Sequence, residues 1–555
     1  MIEKMKVYSL FGLLIFILVA CEASKIKFLK EPVVVQNPNE SVPLSCFIDF
    51  ETETEYKNVT FTIKDSEREF QLEYTPSEKI TSGYLIFLMR PEQQNKIAIE
   101  ITDLKGRKHL LDKELLFKTP ALPKSDMEFP GIEISHFKAK FKKEELTLFN
   151  PRRRVPLNFP GSNKLNQSFG MLSITNSKGE IVWYYRTDSR ISDFDLLPNG
   201  NLSYMTQDSR VVEIDFAGST VNQWYAANRP EGKMEGAIAV DALTFHHDVS
   251  VLPNGNRLVC STEIREFDNY YTSELDKNAP RKRQKVMGDV IIEFTPKGEV
   301  VHRWKCFDHM PAERIGYETF SNYWFRRGFP GVIDWSHANA VVPIPDEEAY
   351  LVNFRYQSAM IKVNKTTSDI EWIFAEPSGW GKDLQNKLLK IPEDGLNWHQ
   401  HSPRFMANGN LLFFNNNNYQ ARPFEKTASL QESPSYAVEY NINEQNKTVR
   451  RIWDSKIENE KTIVSIAMGR VSEMPETGNI LTCFGALLPP DHLDEMTWQN
   501  RGRFPQWTMV REYTHTTPAK IVWEMRILPR TKESKVGWTL FGAERIELDV
   551  LTKSN

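Results

Sequence analysis

One tryptophan recurs six times at the same point of a local pattern, and this recurrence limits the fold more than any other feature of the chain. Trp183, Trp224, Trp304, Trp372, Trp453 and Trp523 each end a short strand-like run after a polar turn, as in Gly298-Glu299-Val300-Val301-His302-Arg303-Trp304. Hairpin-type turns lie between them: Leu197-Pro198-Asn199-Gly200, Leu252-Pro253-Asn254-Gly255, Pro343-Ile344-Pro345-Asp346, Ala407-Asn408-Gly409 and Pro475-Glu476-Thr477-Gly478. Asn-Gly favours a tight hairpin in which both central residues take positive φ. One full unit reads as four strands: His247–Val251, Arg257–Thr262, Val290–Thr295 and Val300–Trp304. Four-stranded units repeated around an axis make a β-propeller. Six marks predict six blades over residues 171–555. The first unit, Met171–Trp183, holds only an outer half, so the C-terminal run Trp538–Ile546 is expected to complete it and close the ring.

Upstream, residues 25–123 alternate apolar and polar side chains in short runs such as Asn58-Val59-Thr60-Phe61-Thr62-Ile63. Turn residues part these runs about every ten positions, the spacing of a small β-sandwich. Thr119-Pro120-Ala121-Leu122-Pro123 reads as a linker, and residues 124–170 as linker and approach to the propeller. The fold class is therefore all-β, with an N-terminal sandwich ahead of a six-bladed propeller. Residues 1–21 stand apart. The apolar run Val7–Ala20 is too short to span a bilayer as an ordinary helix, and Leu18-Val19-Ala20-Cys21 ends it like a lipobox. This reads as a signal peptide, with Cys21 lipidated and the mature protein periplasmic or elsewhere in the cell envelope, held by acyl chains alone. Net charge is −4 without a basic bias, which argues against nucleic acid as a partner. Cys46, Cys260, Cys306 and Cys483 lie far apart with no CxxC, so they read as buried and inert, not as a zinc-thiolate set.

His247 stands eight positions before Gly255, and His401 eight before Gly409. The first strand of each blade lines the central channel, so a fixed offset predicts imidazoles converging on one axis. His337 holds an approximate counterpart position, and Arg470 stands eight before Gly478. Arg355 lies one strand further along in the His337 blade. Such a funnel suits a sulfate- or phosphate-type group, because arginine offers a planar fork of donors to a tetrahedral oxyanion. Strand alternation turns His246 away from His247, whereas His399 shares the parity of His401 and faces the site. His302, His309 and His515 have no such placement, and Asn415–Asn418 reads as a polar strand end. No acidic residues accompany the histidines, so no metal set and no cofactor is expected.

In Phe245-His246-His247-Asp248, Asp334-Trp335-Ser336-His337-Ala338-Asn339, Phe354-Arg355-Tyr356-Gln357-Ser358 and Gln400-His401, the chain resembles the bacterial arylsulfate sulfotransferase family. The resemblance covers signal segment, sandwich and propeller. It implies a ping-pong transfer of a sulfuryl group from a phenolic sulfate ester to a phenol acceptor, without an adenosine phosphosulfate donor. It implies His401 as the nucleophile that becomes sulfohistidine, with His247, His337 and Arg355 on the sulfuryl oxygens and Asn339 in support. Arg470 and His399 are further candidates for substrate binding. Either His247 or His337 suits the general acid. Some relatives carry a short disulfide loop that this sequence lacks. Two other functions use the same residues: a metal-dependent hydrolase or lyase with imidazole ligands, or a non-catalytic propeller that binds a partner or glycan at the cell surface. A homodimer is a further expectation.

Overall fold

The computed structural model describes residues 26–137, 145–156, 159–531 and 533–551. The expected signal peptide, Cys21 included, lies outside the described residues. The N-terminal unit is a β-sandwich. Strands Phe28–Gln36, Cys46–Thr52 and Tyr84–Ile86 form one sheet, and a second five-stranded sheet is built around Tyr56–Lys64 and Gln94–Asp103. Alternation decides what is buried: Val59, Phe61 and Ile63 are fully covered, as are Ile97, Ile99 and Ile101 on the neighbouring strand. The sandwich docks on the propeller through Phe87 stacked on Phe216 at 5.1 Å and through Arg90, whose guanidinium joins Asp65 to Glu180.

Six further sheets of four or five strands follow. Their innermost strands are Gly537–Glu547, Ile191–Leu196, His246–Val251, Ala338–Pro343, His401–Phe405 and Arg470–Glu473, and they touch in that ring order, the last returning to the first. This is a closed six-bladed propeller. The C-terminal strand is the innermost of blade one, beside Glu145–Arg154. Gly131–Phe137 pairs along Ile521–Leu528 on the outside of blade six. Residues expected as linker thus supply two strands to the ring, which begins near residue 131 and is clasped at two blades by both halves of the chain.

The six tryptophans explain the repeat. Each sits on the fourth strand of its blade counted from the axis, and its indole N–H donates to the last hairpin of the next blade. Trp183 reaches the Phe216 carbonyl at 3.0 Å, Trp224 that of Pro296 at 2.9 Å and Trp304 that of Ser368 at 3.0 Å. Trp372 reaches the Glu444 carboxylate at 2.8 Å, and Trp453 the Thr516 carbonyl at 3.0 Å. Trp523 closes the circle on the Ser177 carbonyl of blade one at 3.1 Å. A large apolar ring fills the gap between twisted sheets, and its one donor fixes which neighbour it meets.

The inner turns follow a different rule from the one expected. In the three Asn-Gly turns only the glycines, Gly200, Gly255 and Gly409, take positive φ. The asparagine before each stays in ordinary backbone. Its side-chain oxygen accepts the N–H two residues on, from Asn201, Asn256 and Asn410, at 2.9–3.1 Å. Asn serves here as a side-chain turn former and Gly as the left-handed residue.

Candidate active site

The inner strands of blades three, four and five slip in register at their heads, between His246 and Val249, Ala338 and Ala340, and His401 and Arg404. A bulge of this kind re-aims a side chain that simple alternation would send elsewhere. His247 (φ 62°), His337 (φ 53°), His399 (φ 55°) and Ser402 (φ 51°) all take left-handed backbone. Non-glycine residues rarely do so, and such strain collects at functional sites. The alternation rule therefore fails for His246: it does not turn away, and its Nδ1 lies 2.9 Å from His247 Nδ1.

The rings converge. His247 and His337 centroids are 4.7 Å apart, and Tyr323 packs against both, at 5.6 and 4.6 Å. Tyr356 stacks on His337 at 4.2 Å and approaches His399 at 6.2 Å. His247, His337, His399 and His401 are all buried. Burial pushes each well below the ordinary histidine pKa, and the nearby Arg355 charge pushes His337, His399 and His401 further. The four imidazoles are neutral at pH 7.

Hydrogen bonds settle which nitrogen of His401 carries the proton. Asn416 Nδ2 donates to the carbonyls of Ser465 and Met468 at 2.9 and 3.0 Å, so its Oδ1 faces His401 Nδ1 at 2.6 Å. That oxygen only accepts, so Nδ1 is the protonated nitrogen. Nε2 keeps a lone pair, met at 3.1 Å by the Met468 N–H. His337 is held differently. Its Nδ1 lies 2.5 Å from Asp334 Oδ2, and burial, reinforced by Asp289, pushes that carboxyl up to about 8. Below that pH the acid donates to Nδ1, and His337 presents an Nε2–H. His246 Nε2 faces two acceptors, the Ser261 carbonyl at 3.1 Å and Asp289 at 3.2 Å. In the uncharged ring its Nδ1 then accepts from His247 Nδ1–H. His247 Nε2 is left with a lone pair toward the Tyr323 hydroxyl at 3.3 Å.

Arg355 lies among these rings, buried. Its Nη1 pairs with Glu318, its Nη2 donates to the Ile466 carbonyl at 2.9 Å, and its Nε is covered with no partner. Asn339 lines a small cavity that His401 also lines. Its amide donates to the Gln400 carbonyl at 2.9 Å and accepts from Asn353, which props the chain just before His401. Arg470 lines the same small cavity together with His401, but its donors are engaged. It is bound by Asp195 at 2.7 Å, Glu544 at 3.0 Å and Asp193 at 3.4 Å, carboxylates of the two blades that follow around the ring. These donors are spent on carboxylates beside that cavity of about 70 Å³. His399 joins the cluster, with a buried Nδ1 that has no partner. Acidic residues do accompany the histidines: Asp334 and Asp289 reach them from neighbouring strands, which corrects the expectation of none. Among the described residues, no three His, Cys, Asp or Glu side chains are grouped to hold a metal ion. The four described cysteines are free and buried.

A cleft of about 340 Å³ opens beside the cluster, lined by Glu318, Phe320, Tyr419, Trp498 and Arg501. Tyr419 stacks on Trp498 at 4.2 Å and on Tyr317 at 4.6 Å, and lies 5.3 Å from His399. Sequence reasoning missed Asn416, Tyr323 and Tyr356. Asn416 was within reach of it, since His401 pairs with Phe414 on the adjacent strand and the Asn run begins one residue later.

Two family models match the chain. The arylsulfotransferase (ASST) model covers residues 134–526, and the arylsulfotransferase Ig-like domain model covers residues 33–120. The chain belongs to the arylsulfotransferase family. An arylsulfate sulfotransferase AssT from Lelliottia amnigena is 20% identical over 494 residues, 76% of this chain and 79% of that one. The AssT of Escherichia coli O6:H1 is 27% identical over 139 residues, 22% of this chain and 23% of that one. Among solved structures, a Bacteroides caccae protein of unknown function aligns at 12% identity with a TM-score of 0.38, over 73% of this chain and 99% of that one. This arylsulfotransferase is an aryl-sulfate sulfotransferase.

Proposed function

We propose that the enzyme works by a ping-pong mechanism through a sulfohistidine at His401. The observation that carries this reading is the fixed Nδ1–H tautomer of His401, which leaves Nε2 as a nucleophile ringed by donors. Nε2 attacks the ester sulfur, the N–S bond forms, and the aryl O–S bond breaks. The phenolate departs and takes a proton. The ring, now substituted at Nε2 and protonated at Nδ1, is positively charged, and the Asn416 carbonyl dipole steadies that charge. A second phenol then attacks the same sulfur, loses its proton and releases Nε2. Atoms and charge balance over the cycle.

Charge on the sulfuryl oxygens calls for preorganised donors. His337 Nε2–H and Arg355 Nε are free to supply them. His247 Nε2, a lone pair beside the Tyr323 hydroxyl, suits the base that takes the proton from the second phenol, while the first phenolate takes its proton from solvent. The Met468 N–H yields its place on Nε2 as sulfur approaches. The Tyr419 and Trp498 faces suit the aromatic ring of either substrate. Export through the Val7–Ala20 segment, acylation at Cys21, residence in the cell envelope and pairing of two copies belong to the same proposal. Initial rates over a grid of donor and acceptor concentrations test the mechanism. Parallel double-reciprocal lines are expected, and lines that intersect contradict it.

A further inference from the structure

Five arginines stand near the histidine cluster without a carboxylate in ion-pair contact. Arg152 and Arg154 end the strand Glu145–Arg154 of blade one, and Arg190 directly precedes the inner strand of blade two. Arg326 and Arg327 belong to the single turn Phe325–Arg327 in the segment between blades three and four. Among the described residues, none of the five pairs with a carboxylate. Arg152 and Arg190 are 7% and 8% exposed, and the Nε of each is buried with no partner. Arg152 otherwise rests on Met468 Sδ at 2.7 Å, and Arg154 on Gln506 at 3.2 Å. Gln167 ties Arg190 to Arg326: its carbonyl accepts the Arg190 N–H at 2.8 Å, and its side-chain amide donates to the Arg326 carbonyl at 3.0 Å.

Two other buried arginines are neutralised. Arg470 has three carboxylates, and Arg257 has Glu213 at 3.0 Å. Burying like charges together without a counterion is costly, and an anion among them relieves that cost. The cluster stands close to the reacting groups. Arg327 lies 3.6 Å over the Tyr323 ring, whose hydroxyl reaches His247. Arg152 touches Met468, whose N–H reaches His401. Arg327 and His247 both lie against the Tyr323 ring, at 3.6 and 5.6 Å from its centre.

We propose that this arginine wall is a second anion subsite, and that the aromatic substrate carries, besides the transferred sulfuryl group, a further oxyanion such as a carboxylate or a second sulfate. The proposal rests on the sulfuryl-transfer reading of the adjacent site. Arg190 is nearly enclosed and has no ion-pair partner, and Arg326 borders it across Gln167.

The test compares kcat/KM for 4-carboxyphenyl sulfate with that for its uncharged carboxamide, at low salt, in the full-length enzyme and in Arg190→Gln and Arg326→Gln. The carboxylate is expected to be preferred by about tenfold or more, and the ratio to fall toward one in both variants. A ratio near one in the unaltered enzyme, or an unchanged ratio in both variants, overturns the proposal. A second measurement is independent of turnover: calorimetric titration of 4-hydroxybenzoate into His401→Asn protein, with and without Arg190→Gln. Binding weakened by about tenfold in the double variant supports the subsite, and equal binding overturns it. Anion binding that persists while neither ester is turned over counts against the sulfuryl reading and leaves the subsite standing. Removing a repelled cation also raises the thermal midpoint of the ligand-free protein, whereas a structural role for Arg190 lowers it.

Discussion

Replacing Asn416 by leucine removes the residue that decides which nitrogen of His401 is free. The bond at stake is the 2.6 Å contact from His401 Nδ1–H to Asn416 Oδ1, in a site closed to water. A buried neutral hydrogen bond is worth about 1 kcal/mol net, and a stranded donor costs about 1–3 kcal/mol more. If that loss of about 2–4 kcal/mol falls on the transition state, kcat/KM drops by about 30- to 1,000-fold. Asn416→Asp keeps an acceptor toward Nδ1 and retains more activity than Asn416→Leu. Its carboxylate also raises the His401 pKa, so the acid limb of the pH profile moves to higher pH. The assay is release of a coloured phenolate from an aryl sulfate with phenol in excess, alongside a circular dichroism spectrum to confirm folding. Leucine within threefold of the unaltered enzyme, or leucine and aspartate variants indistinguishable in rate and pH profile, refutes the tautomer argument.

Four other outcomes follow from the geometry. His247, His337, His399 and His401 are held neutral in the fold and take up protons when unfolded, so stability is complete above about pH 6.5 and falls as the pH drops below it. Urea midpoints between pH 7.5 and 5.5 measure this, and His399→Gln lowers the slope by up to ~1.4 kcal/mol per pH unit. Asp334 ionises near pH 8 and then reverses the His337 tautomer, so activity declines above that pH; Asp334→Asn, which still donates to Nδ1, removes the alkaline limb. Arg355→Lys loses the guanidinium fork and lowers kcat by about 10²–10³-fold while leaving the imidazoles in place. Trp523→Phe strands the Ser177 carbonyl at the closing seam and destabilises the protein by about 1–3 kcal/mol, read as a lower denaturant midpoint.

The tryptophan recurrence was legible in sequence because one physical task, joining a blade to its neighbour, is repeated at each seam. The offset from histidine to turn was legible because hairpin geometry fixes how far a strand runs from its turn. The limits of that reasoning have causes as definite. Arg470 keeps the offset of His401 and does other work, because Asp193, Asp195 and Glu544 reach it from distant parts of the chain. His246 defies alternation because a bulge intervenes, and bulges leave no periodic trace. Asn416 looked like part of a polar strand end, since its role depends on two carbonyls supplied by Ser465 and Met468. The strands Gly131–Phe137 and Glu145–Arg154 were hidden because the tryptophan that marks their blade lies later in the chain.

The central claim is a covalent bond between sulfur and His401 Nε2. Enzyme mixed with an aryl sulfate in the absence of any phenol acceptor, quenched within the first turnover and digested under alkaline conditions, is to be measured by mass spectrometry. The account predicts one sulfuryl group per chain on the peptide that holds His401, lost on adding phenol and never formed in His401→Asn. Full turnover with no adduct on that peptide, or undiminished turnover in His401→Asn, contradicts it.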